Sequence, residues 1–202
     1  MEEDLVALVQ DDFSTLPVIE ISMGRWHSHF ARAVKRLGGV TIDLYRSGEL
    51  VGQSVVYRLD LGSRVLGVIY YIAILPRYRG RGYGRVLLAS AEEVLSMRGV
   101  DYFVATISGD NSPSIALFQS MGYSVYSWGE VSKVCGYRAM ETLRMETCGY
   151  EDDLIAIKKD SGDADLREVC NADGKKARKW WREACLKPWL IIRGSAMAGD
   201  QS

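Results

Sequence analysis

Histidine and paired cysteine are what this chain has least of. Two histidines stand among 202 residues, and the four cysteines, Cys135, Cys148, Cys170 and Cys185, form no Cys-x-x-Cys pair. A zinc site needs clustered thiolates and imidazoles, so no metal is expected. Buried free thiols are the default reading of such scattered cysteines; two late disulfides stay open for a chain from a hyperthermophile. No apolar run approaches membrane length without a charge, and the N-terminus Met1-Glu2-Glu3-Asp4 is acidic. A cytoplasmic protein with no membrane partner is expected. Apolar residues make up 48% of the chain, enough for a core, and the length suits one domain or one domain with an appendage.

Glycine and arginine are concentrated in Arg79-Gly80-Arg81-Gly82-Tyr83-Gly84. The run from Val65 to Leu75 before it is β-branched, aromatic and almost uncharged, which reads as a strand buried on both faces and stopped by Pro76. After the glycines, Val86, Leu87, Leu88, Ala91, Val94 and Leu95 recur at helical spacing, with Gly99 where a C-terminal cap belongs. Backbone N–H groups at such a helix start converge on one spot, and Arg79, Arg81 and Arg85 add full charges. A pyrophosphate suits that spot. A Walker loop requires Lys-Ser or Lys-Thr where Arg85-Val86 stands. A dinucleotide fold requires Gly-x-Gly-x-x-Gly, and the second spacing is missing. Arg-x-x-Gly-x-Gly after a Pro-terminated strand resembles the acetyl-CoA loop of the GCN5-related N-acetyltransferases (GNAT); the plain alternative is a glycine-rich turn of any α/β protein.

A second signature follows. Asp101-Tyr102-Phe103-Val104-Ala105-Thr106-Ile107 reads as a strand, and Ser112 and Pro113 open a helix, Ser112 as its cap. Asn111, then Ala116-Leu117-Phe118, then Met121-Gly122-Tyr123 is similar to the second signature of the same family. Two ordered signatures with the right flanking elements are far more specific than either alone. The likeness covers residues 2 to 158 and is closest to the branch of ribosomal-protein alanine and other N-terminal-amine acetyltransferases.

The resemblance implies an α/β (α+β) GNAT fold: a mixed central sheet flanked by helices, whose two central parallel strands splay at their C-terminal ends to admit pantetheine. Carried over by position, Ile72, Ala73 and Ile74 would hold the pantetheine arm, and Arg79, Gly80, Arg81, Gly82, Tyr83, Gly84 and Arg85 the pyrophosphate of acetyl-CoA. Asn111 would bind the cofactor near the splay. The acceptor, a protein or peptide N-terminus or a small amine, would attack the thioester directly, with no covalent enzyme intermediate. Relatives often carry a Glu or His at the position of Thr106 and a Tyr at that of Phe118, and neither residue present here can transfer those protons. Tyr70, placed by alternation on the face of Ile72 and Ile74, and Tyr123 or Tyr126 are the substitute candidates. His27 and His29 are ambiguous between packing and base.

Elsewhere, Leu5, Val6, Leu8 and Val9 read as a short first helix, and Met23 to Leu37 as a second with Trp26, Phe30, Ala33 and Val34 on one side. Val40–Tyr45 and Leu50–Leu59 read as a hairpin turning at 46–49. That leaves the usual first strand of the fold without residues, and Trp189–Ile192 is a candidate to fill the edge. Residues 1–159 form the expected acetyltransferase domain, followed over 160–202 by a polar linker, with a short helix open at Leu166–Cys170, and by an amphipathic helix over Lys175–Lys187. Residues 172–202 hold seven Lys or Arg against three Asp or Glu on a chain whose net charge is −1. A tail docked on an acidic body is expected, with no nucleic-acid partner. A homodimer stays open, as does an acyl-CoA-binding module with weak catalysis and a tail that contacts RNA or a partner protein.

Overall fold

A computed structural model describes residues 4–10, 15–61, 63–171 and 173–199. Its centre is a seven-stranded mixed sheet with the order β1-β2-β3-β4-β5-β7-β6. The strands are β1 (Leu5–Gln10), β2 (Val40–Arg46), β3 (Glu49–Asp60), β4 (Val65–Ile74), β5 (Tyr102–Ile107), β6 (Ser124–Ser127) and β7 (Leu154–Lys159). Only β4 and β5 run parallel; the other neighbours are antiparallel. The hairpin β2–β3 turns on Ser47 and Gly48, both at positive φ (48° and 82°), the two-residue geometry whose twist matches that of the flanking strands.

One face of the sheet is covered by α3 (Tyr83–Ser96) and α4 (Ser112–Ser120), with Leu87, Leu88, Ala91 and Leu95 of α3 fully buried. The opposite face carries α1 (Pro17–Met23), α2 (Arg25–Arg36), α5 (Trp128–Cys135) and α6 (Tyr137–Thr147). A capping box between Ser127 and Glu130 starts α5, satisfying the first orphan N–H groups of that helix.

Three expectations are corrected. Leu5–Gln10 is not a helix but edge strand β1, registered from Leu5 opposite Arg46 to Gln10 opposite Thr41. A run of five apolar residues has no period long enough to decide its state, and the open edge of β2 decides it. The first strand is therefore present, and Trp189–Ile192 are helical instead. The expected helix over Met23 to Leu37 is present as α2 but starts at Arg25, because Gly24 (φ 100°) separates it from α1.

The free-thiol reading is also overturned. Cys135 pairs with Cys170 and Cys148 with Cys185, at Cα separations of 6.1 and 6.0 Å, within the span a disulfide bridges. Both tie the last part of the chain to α5 and α6. That part comprises α7 (Leu166–Val169), α8 (Gly174–Trp181), a π-helical turn over Arg182–Leu186 and α9 (Lys187–Gly199). Asp173 caps α8 by accepting from the N–H groups of Lys175 and Lys176. Ala177, Ala184 and Cys185 are buried, and the Trp180 ring lies 4.8 Å from that of Tyr57.

Candidate active site

Strands β4 and β5 pair at only three positions, Leu66–Tyr102, Gly67–Phe103 and Val68–Val104. Beyond Val68, β4 continues on β3 and β5 continues on β7, so the two part company while each remains held on its outer side. From Ile69 onward β4 has no partner strand on its β5 side, which in a sheet interior is an edge that an extended ligand can pair with.

A β-bulge sets which side chains enter this opening. Val55 lies opposite Tyr71 and Val56 opposite Ile69, so Tyr70 has no register partner. The extra residue resets the alternation. Tyr70 and Tyr71 both pack on the α1/α2 side, while Ile69, Ile72 and Ile74 pack on the α3 side. Tyr70 is thus not on the face of Ile72 and Ile74, contrary to the plain alternation of the sequence.

The opening widens into a cavity of about 1050 Å³. Ile72, Ser108, Asn111, Ser114 and Phe118 line it beside the splay, and the segment 150–152 lines it farther along. Trp26, His27 and Phe30 of α2 form one wall; Trp181, Leu186, Trp189 and Ile192 of the C-terminal helices form another. α9 and the π-helical turn pack on α2, so the chain's last helices close the side of the cavity that the first helices leave open.

Next to the β4 end, Gly80 (φ 75°) and Gly82 (φ 83°) stand in the left-handed region, with nothing within 4 Å of where a Cβ would point. Gly82 caps α3 and has no side chain to occupy its first N–H groups. Arg79, Arg81 and Arg85 are exposed around this helix start. Arg79 Nε donates to Ile74 O at 3.1 Å, and the Arg81 guanidinium lies 5.6 Å from the Tyr78 ring centroid. Tyr83 is buried beneath the loop, and a Cβ on Gly84 would meet Leu117 at 3.5 Å. The result is a convex, cationic, uncapped helix end that suits an anion. Ala73 is buried on the α1/α2 side of the sheet, and Ile74 packs on the α3 side. Neither lines the cavity, which leaves their backbone as the part able to meet a ligand. Asn111, and not Ser112, caps α4: its Oδ1 accepts from Ser114 N at 3.2 Å.

The titratable groups at the cavity include Tyr70 and His27, which the sequence singled out, and Asp152, which it did not. Thr106 Oγ1 donates to Asp152 Oδ2 at 2.6 Å. Burial pushes the Asp152 carboxyl above its ordinary value; Glu151 and Asp153 push it the same way, while the Thr106 hydroxyl and His27 hold it down. Burial lowers the His27 imidazole, against the pull of Glu151 and Asp152, and its ring stands edge-on to Tyr71 at 5.2 Å. Burial likewise raises the Tyr70 and Tyr71 hydroxyls, which are coupled to one another. Tyr123 belongs elsewhere: it is buried on the α3 side, its ring edge-on to Phe118 at 4.9 Å, and it does not line the cavity. In sequence Asp152 is one of three consecutive acids, Glu151-Asp152-Asp153, before an apolar strand. That signal reads first as a solvated turn.

The sequence profile of the acetyltransferase (GNAT) family matches residues 4–123. The chain belongs to that family. Among curated relatives, a mycothiol acetyltransferase of Saccharomonospora viridis is 31% identical over 62 residues, 31% of this chain and 20% of that one. An acetyltransferase of Sodalis glossinidius is 34% identical over 79 residues, 39% of this chain and 53% of that one. The GNAT chain therefore spans between 20% and 53% of the length of these relatives. Among solved structures, the ribosomal-protein alanine N-acetyltransferase of Escherichia coli superposes with a TM-score of 0.52 at 18% identity, over 81% of this chain and 97% of that one. A GNAT acetyltransferase of Elizabethkingia anophelis, with acetyl-CoA bound, gives 0.51 at 12% identity, over 76% and 95%. At these identities the likeness is one of fold.

Proposed function

We propose that this GNAT protein transfers an acetyl group from acetyl-CoA to a primary amine. The observation that carries the reading is the coincidence of three parts on one path: the cationic start of α3 with no side-chain cap, the stretch of β4 that has lost its β5 partner, and a cavity lined by the half-buried Asp152 carboxylate. Arg79 to Arg85, with the N–H groups of Tyr83 and Gly84, would hold the pyrophosphate. The backbone of Ile72 to Ile74 on the side where β4 has no partner strand would hold the pantetheine arm, and Asn111 would line its end. Bound acetyl-CoA supplies the acetyl thioester, and transfer forms an amide C–N bond as the C–S bond breaks.

The chain's own residues account for the rest. Asp152, its carboxylate fixed by the Thr106 hydroxyl, takes the proton from the incoming amine. Its raised basicity improves it as an acceptor near neutral pH. An N–H of β4 left free by the bulge can face the developing oxyanion, a role typically worth about 3–4 kcal/mol of barrier. Tyr70 keeps its proton, because a phenol raised by burial above its ordinary value is a weaker acid than a thiol with a pKa of about 8.5. The thiolate leaves without an obligatory acid. A protein N-terminus reaches such a site along an open groove. The packing of α9 on α2 narrows that side and favours a free small amine.

The cofactor assignment is tested by Gly82→Val and Arg79→Glu. Each removes a charge-assisted contact or strains a left-handed position, so CoA affinity measured by calorimetry should fall about ten- to a hundredfold. Unchanged affinity in both folded variants would sink it.

A further inference from the structure

The reading above leaves open what carries the amine, and the walls of the cavity speak to that. Deepening that reading, we propose that the acceptor is a compact primary amine on an aromatic or aliphatic body, not a polyamine or a polypeptide N-terminus. The acidic groups that line the cavity, Glu151 and Asp152, are neighbours in sequence and sit together near Thr106. They recognise one ammonium at the reacting end. Away from them the walls are aromatic and apolar: Trp26, Phe30, Trp181, Trp189 and Ile192. Tyr150 and Trp181 lie 5.8 Å apart, joining the acidic segment directly to the aromatic wall. Ring faces attract an entering cation and then bury the body that carries it.

The same walls reject the two alternatives. A second ammonium farther along the body would find no carboxylate beyond the adjacent Glu151 and Asp152 among the described lining residues, and would approach Arg193, whose guanidinium lies 4.9 Å from the Trp189 ring centroid. A peptide backbone carries an N–H and a C=O at each residue and must pair them, whereas this wall offers ring faces and aliphatic side chains. The Cys148–Cys185 disulfide, itself part of the lining, fixes the C-terminal wall to the acidic one. The ammonium gives one proton to Asp152 and becomes the free amine, its nitrogen gains the acetyl carbon as the C–S bond breaks, and the second N–H proton passes through water to the departing coenzyme A thiolate.

The test uses the full chain with acetyl-CoA and three probes, 2-phenylethylamine, spermidine and an alanine-initiated hexapeptide, with thiol release as the readout. The kcat/KM for 2-phenylethylamine should exceed the other two by about tenfold or more. Equal or better turnover of spermidine or the peptide would overturn the acceptor class and leave acetyl transfer standing. No turnover of any probe by protein that binds CoA would overturn the transfer reading, and the acceptor class with it. Binding provides a separate readout: in calorimetry without acetyl-CoA, Trp181→Ala should weaken 2-phenylethylamine about tenfold at unchanged CoA affinity, with Trp181→Phe restoring most of it. Where Trp181→Ala does not fold, Trp189→Ala, at a position 39% exposed, reads the same wall. Unweakened binding in the folded variants would overturn the proposal.

Discussion

Asp152→Asn should lower the turnover number about a hundredfold or more while leaving CoA affinity intact, since general-base catalysis typically contributes about 10²–10⁴. The substitution keeps the shape of the side chain and the backbone carbonyl that accepts Trp128 Nε1 at 2.9 Å. It also removes a carboxylate that burial disfavours in its charged form. The sign for stability follows: a carboxyl whose folded pKa is raised stabilises the fold while protonated and loses that contribution as pH rises through the folded value. At neutral pH the Asn variant should therefore melt no lower than the parent.

The pH profile separates a base from a merely structural acid. The carboxylate is the working form, so the acceptor kcat/KM should climb as Asp152 deprotonates and level off above. In Thr106→Val the hydroxyl that stabilises the carboxylate is gone, so the acid limb should move to higher pH. His27, Glu151, Asp153, Tyr70 and Tyr71 face the same group. Repeating the profile in His27→Gln identifies which limb is theirs. A Thr106→Val limb that stays in place, together with near-normal turnover in Asp152→Asn, would remove Asp152 from the chemistry.

Deleting residues 172–202 should lower the melting temperature by at least about 10 °C. The deletion uncovers Tyr57, which Trp180 covers, and removes the buried Ala177, Ala184 and Cys185 with the Cys148–Cys185 bridge. One such aromatic is worth about 2–3 kcal/mol and a native disulfide about 2–4 kcal/mol. For a chain of this size each kcal/mol moves the midpoint by about 2–4 °C. Reductant alone should reproduce part of the drop. A truncated protein that melts with the full chain would mean that the tail is an arm for some partner. The same deletion opens one wall of the cavity, so the preference among amines should relax in whatever fraction stays folded.

Much of the fold was legible. Strand β4, the glycine loop, α3, β5 and α4 each carry a period or a boundary residue, Pro76, Gly82 or Asn111, that acts within a few residues of itself. Hairpin β2–β3 is likewise declared by its alternation and by Ser47-Gly48. Edge strand β1 was not legible, because five apolar residues in a row satisfy helix and strand equally until a neighbour offers hydrogen bonds. Nor was Tyr70's side of the sheet. Alternation assumes that each residue advances the pleat by one, and the bulge opposite Val55 and Val56 breaks that count.

The sequence by itself determined the loop proposed to hold an anion, because that loop is built from consecutive residues: an arginine and glycine loop at a helix start takes its chemistry from local backbone conformation. Only the tertiary structure decided the acceptor end. Thr106 and Asp152 are 46 residues apart, the two disulfides close separations of 35 and 37, and the aromatic walls come from both ends of the chain. Such groups acquire their burial, basicity and neighbours from packing, and a sequence period records none of these until the sheet has brought its distant segments together.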